Sequence, residues 1–165
     1  MITISKIKDS LNPKFIIQNG IMEEKKQSMK IDIKYKDDYV LFKSDAKRTT
    51  VNDCFNPTIN TLNRKADYII FTVKNETIHI VVAELKVSNN PIEQLDLTKY
   101  FAEYIISRIK YKHKSLRTNV VIRKLGIFKD KVPQMYKNTT KAGNIYNKDN
   151  IGFIAKPTLY LANYL

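Results

Sequence analysis

Between residues 65 and 86, apolar and polar positions alternate in two runs that mirror each other about a short polar connector. Strand side chains repeat on one face every second residue. In the first run, residues 65–73, Ile69, Phe71 and Val73 therefore share a face with Asp67. In the second, residues 77–86, Ile78, Ile80 and Val82 share a face with Glu84 and Lys86. The connector Lys74-Asn75-Glu76-Thr77 has Asn75-Glu76 as a natural two-residue turn centre. Such a turn pairs 74 with 77, so the numbers of every cross-strand pair sum to 151, and 67 falls opposite 84. Their Cβ atoms would then be roughly 5 Å apart on one face. Like charges in that position destabilise a sheet unless something positive sits between them, and a metal ion is the obvious candidate. The turn lacks glycine, and a one-residue slip would send the two acids to opposite faces.

The remaining pattern predicts a helix near 12–26, with Pro13 suited to a first helical position and Gly20 counting against it. Residues 29–35 alternate as a strand, 36–38 read as a turn, and 39–43 as a short returning strand. Residues 44–63, rich in Asp, Thr and Asn, form a long loop of the kind that often carries function. Ser88-Asn89-Asn90-Pro91-Ile92-Glu93 is a helix start, with Asn90 as N-cap, Pro91 first in the helix and Glu93 closing a capping box. That helix runs to about Ile109 and buries Ile92, Leu95, Phe101, Ala102, Ile105 and Ile109. A basic loop at 110–117 precedes a strand at 119–128 with an irregularity at Gly126. Residues 129–150 read as an exposed basic excursion, 151–154 as a last strand, and 158–161 as a helical or extended tail.

The apolar run 80–83 ahead of Glu84 marks a central strand buried on both faces, and a crossover helix makes the 119–128 strand parallel to it. The expected fold is α/β, a single domain over 1–165 with a mixed β-sheet flanked by helices. Its core lies at about 29–128, with a basic C-terminal extension at 129–165.

At 165 residues and 43% apolar content the chain can bury one sizeable core. A formal charge of +13 implies an anionic partner, most commonly a nucleic-acid backbone; the plainer source is a Lys-, Asn- and Ile-rich genomic composition. A single cysteine, Cys54, excludes an internal disulfide and a cysteine-based zinc site. The two histidines, His79 and His113, are too scattered for a histidine-rich centre, and His79 lies on the face opposite Glu84. No phosphate-cradling glycine loop or G-x-S-x-G element occurs. With no apolar leader and no stretch of membrane-spanning length, the expectation is a cytoplasmic protein that does not engage a membrane.

Ala66-Asp67 at the start of one strand, Glu84-Leu85-Lys86 at the end of the next, and Gln94 in the first turn of the following helix together resemble the PD-(D/E)xK nuclease superfamily over roughly residues 60–128. Ala66 stands where the family's motif has proline. The resemblance implies a restriction-endonuclease-like αβββαβ core. It further implies that Asp67 and Glu84 hold one or two Mg²⁺ (or Mn²⁺) ions, hard cations that take oxygen ligands. Lys86 would orient or deprotonate the attacking water and offset developing negative charge, and Gln94 would touch phosphate or water. The family's upstream helical acid would be Glu23 or Glu24. Because one site cuts one strand, a homodimer is a plausible form.

Plainer roles stand beside these. Glu84 and Lys86 could form a simple i, i+2 ion pair, Asp67 could accept from loop amides, Gln94 could be an ordinary exposed helix residue, and Glu23 and Glu24 solvated surface. Arg108, Lys110, Lys112, Lys114, Arg117, Arg123 and Lys124, with Tyr111 interleaved, form a basic cluster that could track a phosphate backbone. Lys47, Arg48, Arg64 and Lys65 flank the site entrance. The leading expectation is a Mg²⁺-dependent endonuclease (a phosphodiesterase) acting on nucleic acid, DNA above all. The alternatives are a non-catalytic nucleic-acid-binding module with the same fold, and a basic subunit or inhibitor whose partner is an acidic protein.

Overall fold

The computed structural model describes residues 1–46, 64–86, 90–137 and 145–165. The Thr3 hydroxyl accepts from the Lys6 amide and so caps helix α1 (Ile4–Ser10). The helix expected at 12–26 does not form. Pro13–Phe15 make one 3-10 turn, followed by strands β1 (Ile16–Ile17) and β2 (Ile21–Glu24). Gly20 between them holds φ +67°, a left-handed angle incompatible with a right-handed helix, and the isoleucines find cross-strand partners instead.

Strands β3 (Met29–Lys34) and β4 (Tyr39–Lys43) follow as expected, then β5 (Tyr68–Lys74) and β6 (Thr77–Lys86). Asn75 and Glu76 between β5 and β6 both take positive φ, 48° and 60°, as in a type I′ turn. The hairpin has the register counted from the sequence: Lys74 faces Thr77 and Tyr68 faces Ala83.

Helix α2 (Ile92–Lys112) starts where Asn90 Oδ1 accepts from the Ile92 amide at 2.9 Å. Glu93 reaches to Arg64 at 2.7 Å rather than back to the cap. The fully buried stripe of α2 is Leu95, Thr98, Ala102, Ile106 and Ile109, with Ile92, Phe101 and Ile105 partly buried. The chain then forms β7 (Val120–Phe128), a short α3 (Gln134–Lys137), β8 (Ile151–Ile154), β9 (Thr158–Tyr160) and a terminal 3-10 turn, Leu161–Tyr164.

A six-stranded mixed sheet has the order β1-β4-β5-β6-β7-β8, antiparallel up to β6 and parallel from β6 to β8. A second sheet, β2-β3-β9, pairs β3 antiparallel to β2 and parallel to β9. One face of the large sheet buries Ile69, Phe71, Ile78, Ile80 and Val82 against Ile7 of α1 and the stripe of α2. The other buries Ile70, Val81, Leu85 and Ile127 against Met22, Ile31 and Ile33 of the small sheet. Among the described residues, α1 and α2 cover one face, and the small sheet with the terminal 3-10 turn covers the other.

Leu159 and Leu161 are fully buried in that second core, so residues beyond 128 are part of the packed fold. β7 passes through Gly126 without a break. Gly126 lies beside Glu84 in the sheet, and a Cβ there would come within 2.9 Å of the Phe153 ring and 3.0 Å of Pro91. Its missing side chain lets the start of α2 settle against the sheet next to Glu84. No described helix is long and apolar enough to cross a membrane.

Candidate functional site

The hairpin ladder ends at the pair Tyr68–Ala83, and the next positions are Asp67 and Glu84. Beyond the ladder, carboxylates complete the backbone bonding. The Asp67 amide donates to Glu84 Oε2 at 2.9 Å, and the Leu85 amide donates to Asp67 Oδ2 at 2.8 Å. Lys86 places its ammonium 2.6 Å from Glu84 Oε1. Three hydrogen bonds from two neighbouring segments pin this strand end. Ala66 donates its amide to Thr98 Oγ1 of α2, the Ser44 hydroxyl donates to the Ala66 carbonyl, and the Ser44 amide donates to the Asp67 carbonyl.

Asp67 is 7% exposed and Glu84 2%. Burial, then the charge of Glu84, pushes the Asp67 carboxyl up to about 8, against the Leu85 N–H bond that favours the carboxylate. Burial also raises Glu84, opposed chiefly by Lys86. Exclusion from water sets both directions, and like charge adds to it.

A third and a fourth acid join Asp67. Oxygens of Glu24, Asp45 and Asp67 all lie within 4.8 Å of one another. Tyr68 organises the approach: its hydroxyl accepts from the Glu23 amide at 2.8 Å and donates to the Glu23 carbonyl at 2.9 Å, fixing the end of β2. The Lys43 ammonium lies 4.6 Å above the Tyr68 ring and 3.2 Å from Asp45 Oδ1.

Between the two upstream glutamates left open by the sequence, Glu24 enters the cluster, whereas Glu23 turns to Lys30 at 3.4 Å. Glu24 sits on a strand end, not on the upstream helix that the resemblance implied. Asp45 is absent from the sequence reading. Extending the β4–β5 register places Ser44 opposite Asp67 and Asp45 one step beyond. That register cannot be counted from sequence, because a long segment separates the two strands. A cleft of about 390 Å³ borders the cluster and is lined by Glu24, Lys25, Lys26, Lys43 and Tyr68 among others.

The remaining sequence candidates separate. Gln94 donates weakly, at 3.4 Å, to the Lys65 carbonyl at the strand entering the site. Lys65 holds its ammonium 5.1 Å over the Phe101 ring, and burial lowers its pKa. Arg64 pairs with Glu93, so both flanking residues lie beside the start of α2. Lys47 and Arg48 lie outside the described residues.

The larger basic cluster is elsewhere. Lys110, Lys112, Lys114 and Arg117 lie at the far end of α2, about 30 Å along its axis. Lys110 donates to the Thr118 carbonyl at 2.6 Å. On β7, Arg123 stacks over Tyr146 at 5.4 Å. Lys124 is buried and paired with Asp96 at 2.5 Å, which makes it a packing residue rather than a surface contact.

No family model matches the chain, and neither a curated protein nor a solved structure matches it.

Proposed function

We propose that the protein is a metal-dependent nuclease that hydrolyses phosphodiester bonds of nucleic acid, DNA in the first place, on a restriction-endonuclease-like core. The observation that carries this reading is the buried pair Asp67 and Glu84 at the end of the β5–β6 ladder, with Lys86 on Glu84 and the carboxylates of Glu24 and Asp45 converging on Asp67. Support also comes from the order α1, β4, β5, β6, α2, β7, which reproduces the αβββαβ sequence with β1 to β3 inserted.

Hard carboxylate oxygens fit Mg²⁺ or Mn²⁺, and Asp67, Glu24 and Asp45, with Glu84 beside them, would hold the ion. Once bound, such an ion polarises a phosphoryl oxygen and acidifies a water. The protein's own residues do the rest. Asp67 would bind the ion as a carboxylate, releasing its proton to solvent. Lys86, held by Glu84 in a nearly dry environment, directs an ammonium at the attacking water or at charge building on the phosphate. Lys25, Lys26 and Lys43 line the neighbouring cleft where substrate phosphates need positive partners.

The direct assay is cleavage of linear and supercoiled DNA with Mg²⁺ or Mn²⁺. Glu84→Ala and Lys86→Ala should each lose activity by about a hundredfold or more, and activity that survives both substitutions would end the assignment. One observation favours a second reading, a non-catalytic nucleic-acid-binding module. Both acids already bond main-chain amides and so have a structural use. Metal-independent binding with a steep salt slope, and no cleavage, would select it.

A further inference from the structure

α2 carries large aromatic residues on its solvent side. Tyr100, Tyr104 and Tyr111 are 63%, 56% and 73% exposed, unusual for rings of that size on a helix whose opposite stripe is fully buried. At 3.6 residues per turn the three lie within about 40° of one another around the axis, forming one line along the helix. The line starts about 10 Å along the helix from Glu93, at Tyr100, and ends roughly 17 Å further on, at Tyr111.

Charge along the line is one-signed once pairs are removed. The three acids of α2 are each matched by a cation: Glu93 with Arg64, Asp96 with Lys124 and Glu103 with Lys99. Among the described residues, Arg108, Lys112, Lys114 and Arg117 have no acidic partner within 4 Å. A cleft of about 690 Å³ opens beside Tyr111, lined by Lys112, Lys114 and Arg117 and by no acidic side chain. The Lys99 ammonium lies 5.3 Å from the Tyr100 ring.

We propose that this face of α2 is a stacking platform for single-stranded nucleic acid, with bases against Tyr100, Tyr104 and Tyr111 and phosphates taken by Arg108 and the cations beside Tyr111. Exposed rings beside unpaired cations match a polymer that is aromatic on one side and anionic on the other. A second copy of the chain fits poorly, since it would bring the same unpaired cations against each other. Duplex DNA fits poorly too, because its bases are already stacked and only its phosphates could engage. The inference rests on the nucleic-acid reading above and sharpens it, for it selects a single strand over a duplex.

The test is binding of a fluorescein-labelled (dT)12 and of a 12-base-pair duplex to the full chain, measured by anisotropy in EDTA. The chain has no tryptophan, so quenching of tyrosine emission gives a second readout. The single strand should bind about tenfold or more tighter than the duplex. The triple variant Tyr100→Ala, Tyr104→Ala, Tyr111→Ala should lose about that factor, while Tyr→Phe at the same positions keeps it. Equal binding by the alanine variant, or equal loss in the phenylalanine variant, overturns the platform. So does a wild-type dimer that the alanine variant dissociates with (dT)12 binding unchanged. Because the assay contains no divalent ion, a chain that binds (dT)12 through its tyrosines yet cuts nothing retains the platform and loses the nuclease reading. A chain that cuts duplex and ignores the tyrosines does the reverse.

Discussion

Two carboxylates held out of water at one strand end are stable together only if a proton or a cation is shared among them. In Asp67 the proton carries that role: its carboxyl is pushed up to about 8, whereas an unfolded aspartate titrates near 3.9. Between those values the folded chain holds a proton that the unfolded chain has released. Its stabilising contribution is complete below about pH 4 and is lost as the pH rises through about 8. Thermal melts in EDTA should therefore show a melting temperature that falls across this window. Asp67→Asn, which keeps an acceptor for the Leu85 amide, should flatten the fall; an unchanged slope in that variant would contradict the assigned proton. A divalent ion competes for the same oxygens, so Mn²⁺ should raise the melting temperature more at about pH 8.5 than at about pH 6.5.

The β5–β6 hairpin places these residues, and its register was legible because the two strands are joined by a turn short enough to count across. The turn itself breaks a local rule, since Glu76 sits at φ 60°, where a side chain costs roughly 1–2 kcal/mol. Glu76→Gly should stabilise the protein by about 1 kcal/mol in urea unfolding with an unchanged m-value. Destabilisation would mean that the positive φ is not what limits the turn. Short elements without a clear alternation of their own were not legible. Ile16 and Ile17 read as helical because a two-residue strand has no pattern and its partners in β4 lie about 25 residues on, and Ile21 because β2 is only four residues long. Asp45 was missed because the β4–β5 register is closed across residues 44–67 with no countable turn. β9 was read as a tail, although it pairs parallel to β3 across most of the chain.

For the molecule as a whole, the second sheet closes one of two cores, and the last residues of the chain complete it. Leu159→Ala should accordingly cost about 2–5 kcal/mol, the range for truncating a buried leucine. A loss below roughly 0.5 kcal/mol would show that the segment is a loose extension. A net charge of +13 attracts any anionic polymer, so affinity for nucleic acid alone would say little about chemistry. Cleavage is the discriminating property. The most direct measurement is conversion of supercoiled plasmid by the full chain with Mn²⁺ at about pH 8, beside Asp67→Asn under the same conditions. A metal-dependent nuclease nicks or linearises the plasmid, and the asparagine variant is slower by about a hundredfold or more. Plasmid left intact with both Mg²⁺ and Mn²⁺ by a chain that still retains it in filter binding would contradict the central claim, as would undiminished cleavage by Asp67→Asn.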